Sequence, residues 1–298
     1  MSLLPFNQKQ KLDSFIEFQN HVLQCQISNT KFFIGRLSGN ESSLVGKILS
    51  GQNISEYLLK NMLFVAGIKF KDKNDIKKYV IMYNNSVKES TLLAVWDGEM
   101  YRQAESYYSF INKLYPNIKQ ICAHSLEPYY FMNDNDYKYD KMFKSKKILI
   151  ISSHKATIEK QIKHVNSIFD KKLFDESTEL KVYKPAQQNA GNSDDKSWCF
   201  HYDQMKTELK TIKENEFNFD VAFVSAGGFG MILCEYIYSE LNSSVIYIGG
   251  ALQLLFGING GRWANNAFIK KSQNEYWTNV LEEDKPKSPS LCENSSYW

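Results

Sequence analysis

The 298-residue chain is 43% hydrophobic and 23% charged, and its 36 basic and 33 acidic residues leave a net charge of +3. Such a chain is not disordered and can bury one large core or two modest ones, and its near balance of charge gives no reason to expect nucleic acid or an anionic membrane as the main partner. No run reaches the roughly 18 apolar residues of a membrane span and "MSLLPFNQKQKLDSF" lacks the basic start and apolar core of a signal peptide, so the expectation is a soluble, cytoplasmic protein.

Apolar residues at Leu12, Phe15, Ile16, Phe18 and Val22 predict a first amphipathic helix, and "KFFIGRL" (31–37) a short buried strand ending in "SGNES". Helical stretches follow at 54–67 and 73–86, then a strand at "TLLAVW" (91–96) and a helix within "WDGEMYRQAESYYSFINKLYP" that stops at Pro116. "KQICAHS" and "KKILIISSH" read as strands, "KATIEKQIKHVNSIF" as a helix and "ELKVYKP" as a strand closed by Pro185. Residues 187–198 are polar and glycine-containing, a loop. Further strands fall at 220–225 and 244–248, with a helix from Phe229 between them. Apolar runs separated mostly by helices predict an α/β fold: a mainly parallel, Rossmann-like sheet flanked by helices. The expected domain spans 1–281, with the charged stretch 133–146 as a place where two lobes could meet, and 282–298 reads as a flexible polar tail. Cys25, Cys122, Cys199, Cys234 and Cys292 form no C-x-x-C and read as thiols rather than disulfides or a zinc site.

The last two strands both end in glycine pairs: Gly227 and Gly228, with Gly230 close behind, then Gly249 and Gly250. In an open parallel sheet ligands bind beyond the carboxyl ends of the strands, where helix N-termini present free N–H groups and a glycine lets a phosphate approach the backbone. These glycines also fit plain βα turns. No acidic residue ends the strand that follows the first pair, which counts against a dinucleotide or S-adenosylmethionine and leaves nucleotide phosphate binding open.

"FFIGRLSGNESSL", followed much later by "SAGGFG" and "IGGALQLLFGINGGRW", resembles the GT-D-fold glycosyltransferases and their relatives encoded near polysaccharide genes and in large viruses. The resemblance implies a single GT-D-type domain. It implies transfer of a sugar from a nucleotide-diphosphate sugar, UDP-linked by preference, to a hydroxyl of a glycan or glycolipid. That family carries Arg-x-Gly-Asp-Gly-Glu after its first strand, with an Asp-x-Glu pair that binds a divalent metal at the donor diphosphate. Arg36 matches its arginine, Ser38 its first glycine and Glu41 its glutamate, while Gly39 stands at the aspartate. One carboxylate binds Mn²⁺ or Mg²⁺ far more weakly than two, so metal dependence stays open. Asp97 and Glu99, in a literal Asp-Gly-Glu after the second strand, could restore a metal ligand or supply a catalytic carboxylate beside Glu41, or could simply cap a helix.

Among the other candidates, His124 and His154 follow predicted strands and could serve as a base or a phosphate donor, and Glu127 lies close by. Arg262 could clamp the diphosphate and Trp263 stack on the base or sugar. Gln253 is the polar residue of "ALQLLFG". A catalytically inactive nucleotide-sugar or glycan-binding protein, or another transferase such as a methyltransferase, fits the same features. A homo-oligomer is left open.

Overall fold

The structure, a computed structural model, describes residues 5–298; residues 1–4, the start of the stretch read for a signal peptide, lie outside it. In chain order it runs α1 (Gln8–Ile27), β1 (Phe33–Arg36), α2 (Gly39–Leu49), α3 (Glu56–Phe64), α4 (Lys73–Lys88), β2 (Leu92–Val95), α5 (Gly98–Gln103), α6 (Glu105–Leu114) and β3 (Gln120–Cys122). It continues with α7 (Tyr139–Met142), β4 (Lys147–Ser152), α8 (Lys155–Gln161), β5 (Glu179–Tyr183), α9 (Trp198–Thr211), β6 (Val221–Ser225), α10 (Gly230–Ser239), β7 (Ser244–Tyr247), α11 (Leu252–Leu255) and α12 (Ala267–Ser272). The strands form one seven-stranded sheet in the order β3-β2-β1-β7-β6-β4-β5, with every pairing parallel. The expected α/β architecture is therefore present. The two halves of the chain share it, because β1 pairs with β7.

Both faces of the sheet are covered, which explains strands apolar at successive positions. Phe33, Leu93, Leu149, Ala222 and Val245 point into a core with α2, α3, α4, α6, α9 and α10. Their neighbours Ile34, Leu92, Ile148, Phe223 and Ile246 point into a second core with α1, α7, α8 and α11. Within the stretch 133–146, Tyr139, Met142 and Phe143 are buried in that second core. Helix α9, for which no element is expected above, buries Trp198, Tyr202, Met205 and Leu209. Their spacing of four, three and four residues is helical.

This layering fixes where a crevice opens. From β1 the chain turns into α2 on one face, and from the adjacent β7 into α11 on the other; β6 leads to α10 on the first face and its neighbour β4 to α8 on the second. Where adjacent strands send their connections to opposite faces, no helix closes the carboxyl edge and a cleft remains.

The segment 282–298, read from composition as a flexible tail, folds back onto this edge. Asp284, fully buried, accepts hydrogen bonds from the Thr157 N–H (2.7 Å) and hydroxyl (2.8 Å) at the start of α8 and pairs with Lys184 at 3.2 Å. Burial alone would raise its pKa; the Thr157 hydrogen bonds and Lys184 hold it below the usual carboxylate range. Further on, Cys292 is buried and the Ser296 carbonyl accepts from the Arg262 N–H at 2.9 Å. The loop 187–198 is also anchored: Ala190 is buried, with its N–H on the Phe64 carbonyl and its carbonyl on the Ser288 N–H, both 2.9 Å.

Candidate functional site at the strand ends

A pocket of about 530 Å³ lies beyond the carboxyl ends of the sheet, walled by the segments that follow β1, β2, β4, β5, β6 and β7, by α3 and its end, and by the segment 290–298. Most of the residues singled out from sequence meet there: Arg36, Ser38, Gly39, Glu41, His154, Gly227, Gly249, Gly250, Gln253 and Arg262 all line it.

Arg36, the last residue of β1, is 7% exposed and held on three sides. Its Nη1 donates to the Ile248 carbonyl beyond β7, its Nη2 lies 3.4 Å from Glu127 Oε1, and its guanidinium lies over the Trp96 ring at 4.5 Å. A buried guanidinium needs such partners, and together they fix its plane at the mouth of the crevice. His124 belongs to this support rather than to the pocket: its Nδ1 is 3.4 Å from Glu127 Oε2, and its ring meets Trp96 edge-on at 5.2 Å.

Glu41 sits in the first turn of α2, 5% exposed. Ser38, at the N-cap of α2, makes no cap bond; its hydroxyl donates to Glu41 Oε2 at 2.6 Å, and the Tyr83 hydroxyl lies 3.3 Å from it. Burial pushes the Glu41 carboxyl above its ordinary pKa, only partly offset by the Ser38 hydrogen bond. The result is a carboxyl in the pocket wall that takes a proton more readily than one in water.

Asp97 and Glu99 do not join it. Asp97 occupies the N-cap of α5 without a side-chain cap bond, and its carboxylate accepts from the Phe6 N–H; Glu99 pairs with Arg102 at 3.5 Å on the surface. Of the two residues expected to share a metal, Glu41 lines the pocket and Asp97 does not. Among the described residues no group of three His, Cys, Asp or Glu side chains is placed to hold a metal ion.

The glycines divide. Gly227, at φ +51°, and Gly249, at φ +69°, need the left-handed region. Gly228 and Gly230 lie outside the pocket lining and are packing positions: a Cβ on Gly228 would lie 2.4 Å from Ile68 Cγ1, and one on Gly230 2.2 Å from Tyr247 Cε2. The Gly228 N–H is not free for a phosphate, since it donates to the Ala66 carbonyl at 2.8 Å. Gly250 faces the Tyr297 ring, 2.3 Å from where its Cβ would be.

His154 lies just after β4, 5% exposed. Burial lowers its pKa to about 4, so the imidazole is neutral at pH 7. Arg262 reaches the pocket but pairs with Glu293 and lies 4.8 Å over the Tyr297 ring. Trp263 does not line this pocket. It packs against Tyr297 at 6.3 Å and faces a second cavity of about 500 Å³. Sequence reasoning missed Glu293, Tyr297 and Trp298, which line the first pocket. The signal was aromatic: "SSYW" ends a polar stretch with two large rings that water does not favour.

Among the described residues, seven buried side-chain nitrogen or oxygen atoms find no hydrogen-bond partner, and four of them belong to residues of this pocket: His154 Nε2, Gln187 Nε2, Gln253 Oε1 and Trp298 Nε1. Unpaired buried polar groups are costly, and more than half of those described fall in this one cleft. No family model, curated protein or solved structure matches this chain.

Proposed function

We propose that the protein binds a nucleoside-diphosphate sugar in this pocket and transfers the sugar to a hydroxyl acceptor on a glycan or glycolipid. The observation that carries this reading is the gathering of unpaired polar groups around Arg36, Glu41 and Arg262 in one cleft beyond the strand ends. In glycosyl transfer the sugar carbon becomes cation-like while the diphosphate leaves with growing negative charge, so a site needs positive charge at one end and a proton acceptor at the other. Arg36 and Arg262 supply the first. Glu41, with its raised pKa, suits the acceptor hydroxyl, and the amides of Asn40, Asn61 and Gln187 suit sugar hydroxyls. The resemblance to GT-D-fold glycosyltransferases adds the reaction class.

A second reading, a nucleotide-sugar or glycan-binding protein without turnover, draws support from Gly39 at the motif's aspartate position and from Asp97 lying outside the pocket. Calorimetry with UDP, GDP and TDP, with and without Mn²⁺, followed by release of nucleoside diphosphate from the matching sugar donors in the presence of glycan acceptors, separates the two. Binding with turnover supports the transferase, and binding with no turnover on any acceptor supports the second reading. Absence of binding by every nucleotide removes the transferase and the nucleotide-sugar form of the second reading, and leaves a glycan binder to be tested with the glycan acceptors alone.

A further inference from the structure

We propose that the segment 290–298 is a strap across the phosphate end of the pocket, latched by Glu293 on Arg262, and that the ligand's diphosphate displaces it by taking Glu293's place. The proposal rests on the nucleoside-diphosphate reading of the site.

The strap covers the one glycine pair whose two members both line the pocket. Tyr297 lies against Gly250, its carbonyl accepts from Gln253 Nε2 at 3.4 Å, and its ring carries the Arg262 guanidinium on its face at 4.8 Å. The segment therefore forms the pocket wall that faces the strand end of β7.

Its backbone is held in a conformation it would not choose. Glu293, Asn294 and Ser295 have φ values of 46°, 53° and 65°, three successive non-glycine residues in the left-handed region, where a Cβ crowds the following carbonyl. Such a run persists only where its surroundings enforce it. Within the turn, the Ser295 N–H donates to the Cys292 carbonyl at 3.0 Å and the Ser296 hydroxyl to the Glu293 carbonyl at 2.5 Å; from outside it, Arg262 grips the turn twice, through its pair with Glu293 and its N–H on the Ser296 carbonyl at 2.9 Å. The pair is accessible, with side chains 40% and 37% exposed, and an exposed ion pair is a weak lock. A phosphate offers the guanidinium more negative charge and the same forked geometry as a carboxylate, which makes it the competitor suited to open the latch.

The closed position also leaves polar groups unpaired. The Trp298 ring meets the His154 ring edge-on at 6.2 Å, and there both Trp298 Nε1 and His154 Nε2 are buried without a partner. Lifting the strap returns both to solvent or ligand. Because Trp298 lines both the pocket and the second cavity, it would also join the two spaces, giving a donor and an acceptor a common chamber.

Hydrogen exchange of the full chain, read by mass spectrometry on peptides within 288–298, tests the strap in the parent and in Glu293→Gln. Without ligand, Glu293→Gln should exchange faster in this segment. Saturating UDP or inorganic diphosphate should speed exchange there in the parent while slowing it in peptides covering 221–250. Glu293→Gln should bind UDP roughly two- to fivefold tighter, the range that the loss of an exposed competing pair sets. Unchanged exchange in ligand-free Glu293→Gln overturns the latch. UDP binding that leaves the segment as it was, or protects it, overturns displacement while leaving the nucleotide reading intact. If neither protein binds UDP, GDP, TDP or inorganic diphosphate, the reading of the site falls and displacement falls with it; the ligand-free exchange still judges the latch separately.

Discussion

The ends of β6 and β7 carry the same glycine dipeptide at equivalent places on adjacent strands, and the fold uses them differently. At β6, Gly227 turns the chain at positive φ, while Gly228 and Gly230 let it press against Ala66, Ile68 and Tyr247. At β7, Gly249 also turns at positive φ, but what lies beside the pair is the Arg36 guanidinium and the Tyr297 ring. The first pair packs on the body of the protein and reaches the pocket only through Gly227; the second meets the pocket with both members and the segment laid over it. A glycine pair at a strand end thus says that close approach occurs, and the partner decides whether the approach is structural or functional.

The largest effects should come from the β6 side. Valine at Gly228 or Gly230 drives branched carbons into Ile68 or Tyr247, and overpacking of this kind costs about 3 kcal/mol or more. Both variants should show a clearly lowered urea midpoint. An unchanged midpoint for either would mean that the β6 glycines are not packing positions and would erase the contrast with β7.

On the pocket side, His154 should make stability depend on pH. Its folded pKa of about 4 lies below its ordinary 6.5, so the unfolded chain binds more protons in that window. Its contribution is complete above pH 6.5 and is lost as the pH falls toward 4, a change of roughly 3 kcal/mol. Glu41, with a raised pKa, works in the opposite direction, since its folded form takes up a proton earlier. Unfolding free energies at pH 7 and pH 4.5 should therefore differ less in His154→Asn than in the parent, and more in Glu41→Gln. If His154→Asn leaves the pH slope unaltered, the imidazole is not held neutral by the fold.

If the β7 end holds the donor, turnover should respond to Glu41 and Arg262. Glu41→Gln keeps shape and removes the proton acceptor, so turnover should fall roughly tenfold or more, on the order of 1.4 kcal/mol in the barrier. Arg262→Ala should lower turnover as well as donor affinity, with lysine a partial rescue, because contacts to the leaving diphosphate strengthen as charge gathers there. Parent-like kinetics in both would shift the chemistry away from the β7 end.

The strands were legible because buried parallel strands are written as short apolar runs, and each of the seven observed falls within a stretch read as one. His154 was legible for a related reason, since residues just past strand ends face the crevice wherever the sheet is parallel, whereas Arg36 and Glu41 were picked out by the motif they resemble. Asp97 misled because a carboxylate past a strand faces the crevice only if its neighbours leave it free, and the Phe6 N–H claims this one. Trp263 misled because the ring beside it, Tyr297, is distant in sequence. The tail was illegible by composition, which averages out the few residues that anchor it: Asp284 on α8, Cys292 in the interior and Tyr297 on Gly250.

The smallest effect on stability tests the contrast most directly, because it compares one substitution at two places. Alanine at Gly230 would put its Cβ 2.2 Å from Tyr247 Cε2, and alanine at Gly250 would put it 2.3 Å from Tyr297 Cε1. The nominal clashes are nearly equal, and neither glycine has a positive φ, so backbone strain does not separate them. What differs is the freedom of the ring that must yield. Tyr247 is 5% exposed, lies in a strand paired with β1 and β6, and its hydroxyl donates to the Gly227 carbonyl at 2.9 Å. Tyr297 rides on a segment outside the sheet, which Arg262 and Gln253 hold by side-chain and backbone contacts and which Cys292 anchors five residues earlier. Gly230→Ala should therefore cost on the order of 1–3 kcal/mol, whereas Gly250→Ala should cost less than about 1 kcal/mol, with faster hydrogen exchange in 288–298 as its main trace. Equal losses of stability would mean that Tyr297 is as much a part of the core as Tyr247, and the segment over β7 a fixed wall.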